Sequence, residues 1–426
     1  MRRFVRNGLV AGLCLAATSQ SSVVSDHGRL KIQNHQVVDS LGRPTQLAGM
    51  SLYWSTFGGI NAAWGANDFF NANVVSTMAK DWKSSLIRAP AGVMSGTGQN
   101  VYQYPQTMNL VKQVVDAAIS NGIYVIVDWH LENGDPLQSD ATKFFTEMSQ
   151  TYKSTPNIIW EIWNEPKNVG WSDIKTYANT VIPIIRQNSQ NLILVGTPNW
   201  SHNPDQAAND PITIDANIAY TLHFYAAQNC DASKLESDNN TAMSAANAAI
   251  QKAAVFISEW GTVCNSGSGS VETNWSDKWL AWAKTNGVSW ANWSLSNKSE
   301  TSAAIASGGS SNGGWSDNQL TASGKYVKGK IQEVAADLAK VSAIDAGSAN
   351  RAWGQDLRAR HDGQILSIQA PVGTRSIAVM DASGRVLARR EGSDAVLQLP
   401  LTAQGLVFVQ ATGSQGSRVV PVVPAH

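Results

Sequence analysis

Eight apolar, strand-like runs recur between residues 29 and 341, separated by amphipathic stretches. The runs are QLAGMSLY, SSLIRAP, GIYVIVDWH, NIIWEIWNEP, NLILVGTP, IAYTLHFY, AAVFISEW and GVSWANWS. Runs this apolar read as strands buried on both faces, as in a parallel sheet. Stretches such as FFNANVVSTMAKDWK and TMNLVKQVVDAAIS carry an apolar stripe at helical spacing and can cover those faces. Eight alternating units over roughly 300 residues predict an α/β fold, a (β/α)8 barrel rather than an open sheet. A hairpin, LKIQ to VVDS to LGRP, caps the start.

The composition changes near residue 341. All 17 lysines fall between Lys31 and Lys340, whereas eight arginines follow, from Arg351 to Arg418, with Trp353 and Phe408 as the only later aromatics. The stretch SAIDAGSAN at 342–350 reads as a linker. Beyond it, ILSIQ, SIAVMD, VLARR, AVLQL and LVFVQA are short alternating runs separated by turn signals, which predicts a small all-β domain over 351–426. The barrel is expected over 29–341.

At the other end, three arginines precede an apolar run from Gly8 to Ala17. That run is too short to span a bilayer and has the form of a signal peptide over 1–21. No later run is long enough to be transmembrane, so the expectation is a secreted or surface-located protein. With 32 basic against 32 acidic residues, charge gives no reason to expect nucleic acid as a partner. If Cys14 leaves with the leader, Cys230 and Cys264 remain, both following strands on one rim. A disulfide between them and a pair of inert thiols are both open readings.

Chemistry in such a barrel sits where the strands end. The second run ends in Arg88, the third in His130, the fourth in Asn164 and Glu165. The sixth ends in His223 and Tyr225, the seventh in Glu259, the eighth in Trp293. A carboxylate ending an apolar strand must be paired or neutralised, since burying it alone is costly. Two of them, three strands apart, point toward a common axis. Asp128 and Glu161 lie inside their strands and read as structural. Glu132 and Asp135 follow the third strand, where contact with a ligand and contact with water alone are both open. Neither His130 nor His223 has a histidine partner at metal-binding spacing, and no nucleotide fingerprint, Walker loop or serine elbow occurs. Neither a cofactor nor a catalytic metal is expected.

IIWEIWNEP at 158–166 and FISEWG at 256–261 resemble the two signature strands of family-5 glycoside hydrolases. GMSLYW, DWH, LHFY and NWSLSNKSE resemble the bacterial endo-β-1,4-glucanase (cellulase) branch, in the same order, across about residues 29 to 340. The resemblance implies a polysaccharide substrate, a β-glucan, cleaved by retaining double displacement. It implies Glu165 as acid/base and Glu259 as nucleophile, with Arg88 and Tyr225 holding Glu259 and Asn164 holding a sugar 2-hydroxyl. His130, His223 and Trp293 would line the cleavage subsite, and Lys298 and Glu300 would reach more distant hydroxyls. Where many relatives carry His and Gly after GMS, this chain has Leu52, Tyr53 and Trp54, so the sugar contacts near that strand depart from the pattern, with Trp54 a candidate among them. A mannan or another β-glycan is the rival substrate, and an inactive sugar-binding barrel the rival role. The C-terminal pattern resembles type IX sorting domains, implying contact with secretion machinery or the cell surface; a carbohydrate-binding module is the alternative.

Overall fold

The computed structural model of the chain describes residues 22–57, 66–94, 99–355, 357–361, 365–370, 374–381, 386–391, 396–400, 407–413 and 416–422. The expected signal peptide, with Cys14, lies outside these residues. The chain divides into two compact units between Ala335 and Ala336.

The first unit opens with helix α1 (Val23–His27) and the hairpin β1 (Lys31–Gln33) and β2 (Gln36–Val38). Eight strands follow: β3 (Ala48–Leu52), β4 (Leu86–Gly92), β5 (Tyr124–His130), β6 (Ile158–Glu161), β7 (Ile193–Val195), β8 (Ile218–Tyr225), β9 (Val255–Gly261) and β10 (Trp290–Leu295). They close into a parallel barrel in chain order, with β10 pairing back onto β3. Each strand overlaps one of the eight apolar runs, with β4, β9 and β10 extending one or two residues past its end, and each is buried along its whole length. The fold is the (β/α)8 barrel that the alternation predicts.

Helices between the strands supply the outer cover. They are α2 (Ala72–Lys80), α3 (Gln106–Asn121), α4 (Gln138–Thr151), α5 (Trp171–Arg186), the short α6 (Pro198–Ser201) and α7 (Pro204–Asn209), α8 (Leu235–Ile250), α9 (Thr273–Asn286) and α10 (Ala322–Gln355). In α3 the buried residues Val111, Val114, Val115 and Ala118 form one stripe at helical spacing. The helix stops at Gly122, whose φ of +65° is left-handed and turns the chain into β5. Of the sixteen tryptophans, Trp82, Trp129, Trp160, Trp163, Trp260, Trp279 and Trp290 are among the largest fully buried side chains. The high tryptophan content therefore mostly packs the barrel, and only a few rings are left to face a ligand.

The N-terminal segment closes the end of the barrel where strands begin. Val24 N–H donates to the Gly122 carbonyl and Ile32 N–H to Asn217 Oδ1, each just ahead of a strand. Beneath them Asp39 accepts from Arg43 Nε at 2.6 Å, and its other oxygen accepts the Leu41 and Arg43 backbone N–H groups at 2.9 and 3.0 Å. His27 Nδ1 sits 3.1 Å from the same carboxylate.

The second unit contains two antiparallel sheets. One is β11 (Arg358–His361), β12 (Ile365–Gln369) and β15 (Val396–Pro400). The other is β14 (Val386–Glu391), β13 (Thr374–Asp381), β16 (Val407–Gly413) and β17 (Gly416–Val422). Leu366, Ile368, Ile377, Val379, Val407 and Val409 share one core, the inward set of alternating strands. The linker expected at 342–350 is corrected: α10 runs through it without interruption. SAIDAGSAN has no proline and a single glycine among alanines, so nothing in it stops a helix already under way.

Candidate active site

At the end where strands finish, one cation organises the polar side chains. Arg88 on β4 is fully buried. Its Nε donates to Glu161 at 2.7 Å, one Nη to Glu259 at 2.8 Å, and the other to Asn164 at 2.6 Å and toward Asp128 at 3.0 Å. A guanidinium is the side chain suited to this, because its donors fan out in a fixed plane. Asp128 and Glu161, read from sequence as structural, serve here as Arg88's partners. Glu161 is held down to about 2: burial alone would raise it, but Arg88 and His223 outweigh that.

Glu165 and Glu259 face one another across the axis. One carboxylate oxygen of each, and a ring nitrogen of His223, all lie within 4.8 Å of one another. Glu259 accepts from Tyr225 OH at 2.7 Å as well as from Arg88. Tyr225 reaches it because its ring packs on Gly261, where a Cβ would stand 2.2 Å from the ring. Burial pushes the Glu259 carboxyl up, but the charges of His223 and Arg88 and the Tyr225 hydrogen bond hold it below the usual range. Glu165 moves the other way, raised first by burial and further by the charge of Glu259, against its hydrogen bond with His223. His223 Nδ1 lies 2.8 Å from Glu165 and Nε2 lies 2.9 Å from Ser258 Oγ. Burial opposes its charge, yet Glu161 and Glu165 push it up to about 9.

Aromatic rings wall this centre. The His130 and Trp293 rings are 5.5 Å apart and nearly parallel, and Trp54 stacks on His130 at 5.4 Å. His130 Nδ1 is fixed by Asp128 at 2.7 Å. Lys298 bonds Tyr53 OH at 2.9 Å and pairs with Glu300, which reaches the cleft. Asn164 Nδ2 is buried with no partner among the described residues. The cleft, about 640 Å³, has Glu165 and Glu259 in its wall and runs on past Trp200, His202 and Asn203 to Gln228 and α8. Cys230 and Cys264 are joined, with Cα atoms 5.0 Å apart, so the loops after β8 and β9 are tied beside it.

The structure brings together every strand-end residue singled out in the sequence. It adds Tyr53, Ser258 and the Asn199–Asn203 segment, which sequence reasoning missed. Asn199, Trp200 and Ser201 all have φ near +57°, at 57°, 56° and 58°. Three successive left-handed residues that project a tryptophan into a cleft leave no periodic signal. Chemically, the pair consists of one carboxyl whose surroundings favour its ionised form and one whose surroundings favour its protonated form, set across an aromatic-walled groove.

The sequence model of the cellulase family, glycosyl hydrolase family 5, matches residues 38–299. The chain belongs to that family. Endoglucanase Z of Dickeya dadantii is 41% identical over 325 residues, covering 75% of this chain and 70% of that protein. An endoglucanase of Clostridium saccharobutylicum is 37% identical over 319 residues, 74% of this chain and 67% of its own length. The catalytic domain of Thermobifida fusca endoglucanase Cel5A, solved as a glutamate-to-glutamine variant in complex with cellotetraose, superposes with a TM-score of 0.65. It is 31% identical and covers 73% of this chain and all of that domain. The matches to the family-5 barrel agree with the resemblance in the signature strands.

Proposed function

We propose that this family-5 protein is an exported endo-β-1,4-glucanase that cleaves with retention, using Glu259 as nucleophile and Glu165 as acid/base. The observation that carries this reading is the 4.8 Å limit on the approach of their oxygens. A retaining pair has its carboxyl groups about 5–5.5 Å apart, whereas an inverting pair needs about 6.5–9.5 Å to admit a water. At such a separation, and an effective dielectric of about 20, double ionisation costs about 3 kcal/mol, so one carboxyl keeps its proton. Arg88 and Tyr225 put the charge on Glu259, and burial leaves the proton on Glu165.

Glu259 attacks the anomeric carbon while Glu165 gives its proton to the departing glycosidic oxygen. The bond to the aglycone breaks and a glycosyl ester on Glu259 forms. Glu165, now a carboxylate, takes a proton from water as that water attacks the same carbon and releases Glu259. Asn164 Nδ2 is available for the sugar 2-hydroxyl, and Trp54, His130 and Trp293 offer faces for pyranose rings. Lys298 and Glu300 would serve hydroxyls further along the cleft.

Endoglucanase relatives and the cellotetraose complex of Cel5A support a β-1,4-glucan as substrate. Reducing-sugar release from carboxymethylcellulose, lichenan, mannan and xylan in parallel tests it. A glucan should be the fastest; faster release from mannan would overturn the glucanase assignment. Export rests on the N-terminal signal pattern, and sorting or surface attachment is the reading proposed for the C-terminal unit. In support, the chain beyond Lys340 has too few aromatics for a sugar-stacking face.

A further inference from the structure

Alternation along β9 should put neighbouring side chains on opposite faces, yet Ser258 and Glu259 both meet groups of the catalytic centre. Glu259 bonds Arg88 and Tyr225, and Ser258 Oγ lies 2.9 Å from His223 Nε2. The reason is an extra residue in β9. On the β8 side the pairing steps from Thr221 opposite Phe256 to His223 opposite Glu259. On the β10 side it steps from Trp290 opposite Ile257 to Asn292 opposite Trp260. Each neighbour advances by two residues while β9 advances by three. That is a bulge, a device that re-aims a side chain beside an active site. Ser258 is fully buried, and the bond to His223 is the only one its hydroxyl makes among the described residues.

We propose that Ser258 is a positioning residue for Glu165 that acts through His223, fixing the imidazole so that Nδ1–H points at Glu165 Oε1 and the acid proton stands on Oε2. The inference rests on the assignment of Glu165 given above. His223 is itself fully buried, and its Nδ1 lies 2.8 Å from Glu165 Oε1. Which nitrogen of a neutral imidazole carries the proton is set by the partner of the other. Ser258 can donate to a bare Nε2, which puts the proton on Nδ1, and can accept from Nε2–H when the ring is charged. Nδ1 thus remains a donor in both forms, while Glu165 gives up its proton and takes it back. Glu165 Oε2 has no hydrogen-bond partner among the described residues and keeps the proton that the leaving oxygen needs. Without the Ser258 hydroxyl, Glu161 Oε1 remains beside Nε2, 3.8 Å away and with no hydrogen bond of its own. That anion draws the proton of a neutral ring to Nε2. Nδ1 is then bare and captures the Glu165 proton on Oε1, where it faces the ring instead of the substrate.

The test compares kcat/KM on cellopentaose, whose leaving sugar needs a proton, with kcat/KM on dinitrophenyl β-cellobioside, whose leaving group does not. The ratio of the two is taken within each variant, so a reduced folded fraction cancels. Ser258→Ala should lower the ratio of cellopentaose to aryl glycoside about tenfold. Ser258→Thr, which keeps the hydroxyl, should return the ratio to within about threefold of wild type. An Ala ratio lowered by less than about threefold overturns the proposal, since equal losses on the two substrates are what a merely structural role would give. A Thr ratio as low as the Ala ratio overturns it as well, because the hydroxyl would then not be what matters. A wild type inactive on both substrates would instead refute the glycosidase reading itself.

Discussion

Both ends of the barrel bury a histidine and a carboxylate in contact with an arginine, and the two clusters are built to opposite accounts of charge. At the end where strands begin, Asp39 meets Arg43 and His27, and backbone N–H groups fill its second oxygen. One anion is saturated. At the end where strands finish, the one guanidinium of Arg88 is shared among Asp128, Glu161 and Glu259, and Glu165 stands beyond its reach with His223. Negative charge there exceeds positive. A saturated anion stabilises the fold and does nothing else, whereas a crowded set of carboxylates must keep a proton somewhere and is ready to move it. Composition cannot distinguish these ends. The count of partners can.

Substitutions separate the two accounts. The largest effect is expected from Glu259→Gln, which removes the nucleophile and should lower turnover on β-glucan by at least about 10⁴-fold, roughly 5.5 kcal/mol of barrier. Arg88→Met comes next: three carboxylates lose their shared cation inside the barrel, and urea unfolding should show a loss of about 3–5 kcal/mol. Asp39→Asn should be smaller, about 1–2 kcal/mol, with turnover per folded molecule unchanged. Burial opposes the Asp39 charge, but His27, Arg43 and backbone donors hold its carboxyl down to about 2. Its folded value lies below its ordinary one, so this stabilisation is complete above about pH 4 and fades as pH falls through about 2. A loss of turnover in Asp39→Asn would break the distinction between the two ends.

Much of this was legible in the amino-acid sequence, for physical reasons. A strand buried on both faces admits few polar residues, so Arg88, His130, Glu165, His223 and Glu259 stood out against apolar neighbours. The same logic separated Asp128 and Glu161 from the cleft, although it could not say that both converge on one guanidinium. Trp200 was hidden because left-handed backbone at 199–201 depends on local tertiary fit. The place of Glu132 in the cleft wall was open because it lies past the last strand residue, where alternation persists only through the bonds between the 129–133 and 164–167 segments. The 342–350 stretch misled because small residues serve helices and linkers alike.

The central claim is that Glu259 attacks carbon and Glu165 handles both protons. The stereochemistry of the first product tests it most directly. Proton NMR of a soluble β-1,4-glucan oligomer, recorded before mutarotation proceeds, should show the new reducing end in the β configuration, as two successive inversions require. A new end that appears first as the α anomer would mean a single displacement by water, and the assignment of Glu259 as nucleophile would be wrong.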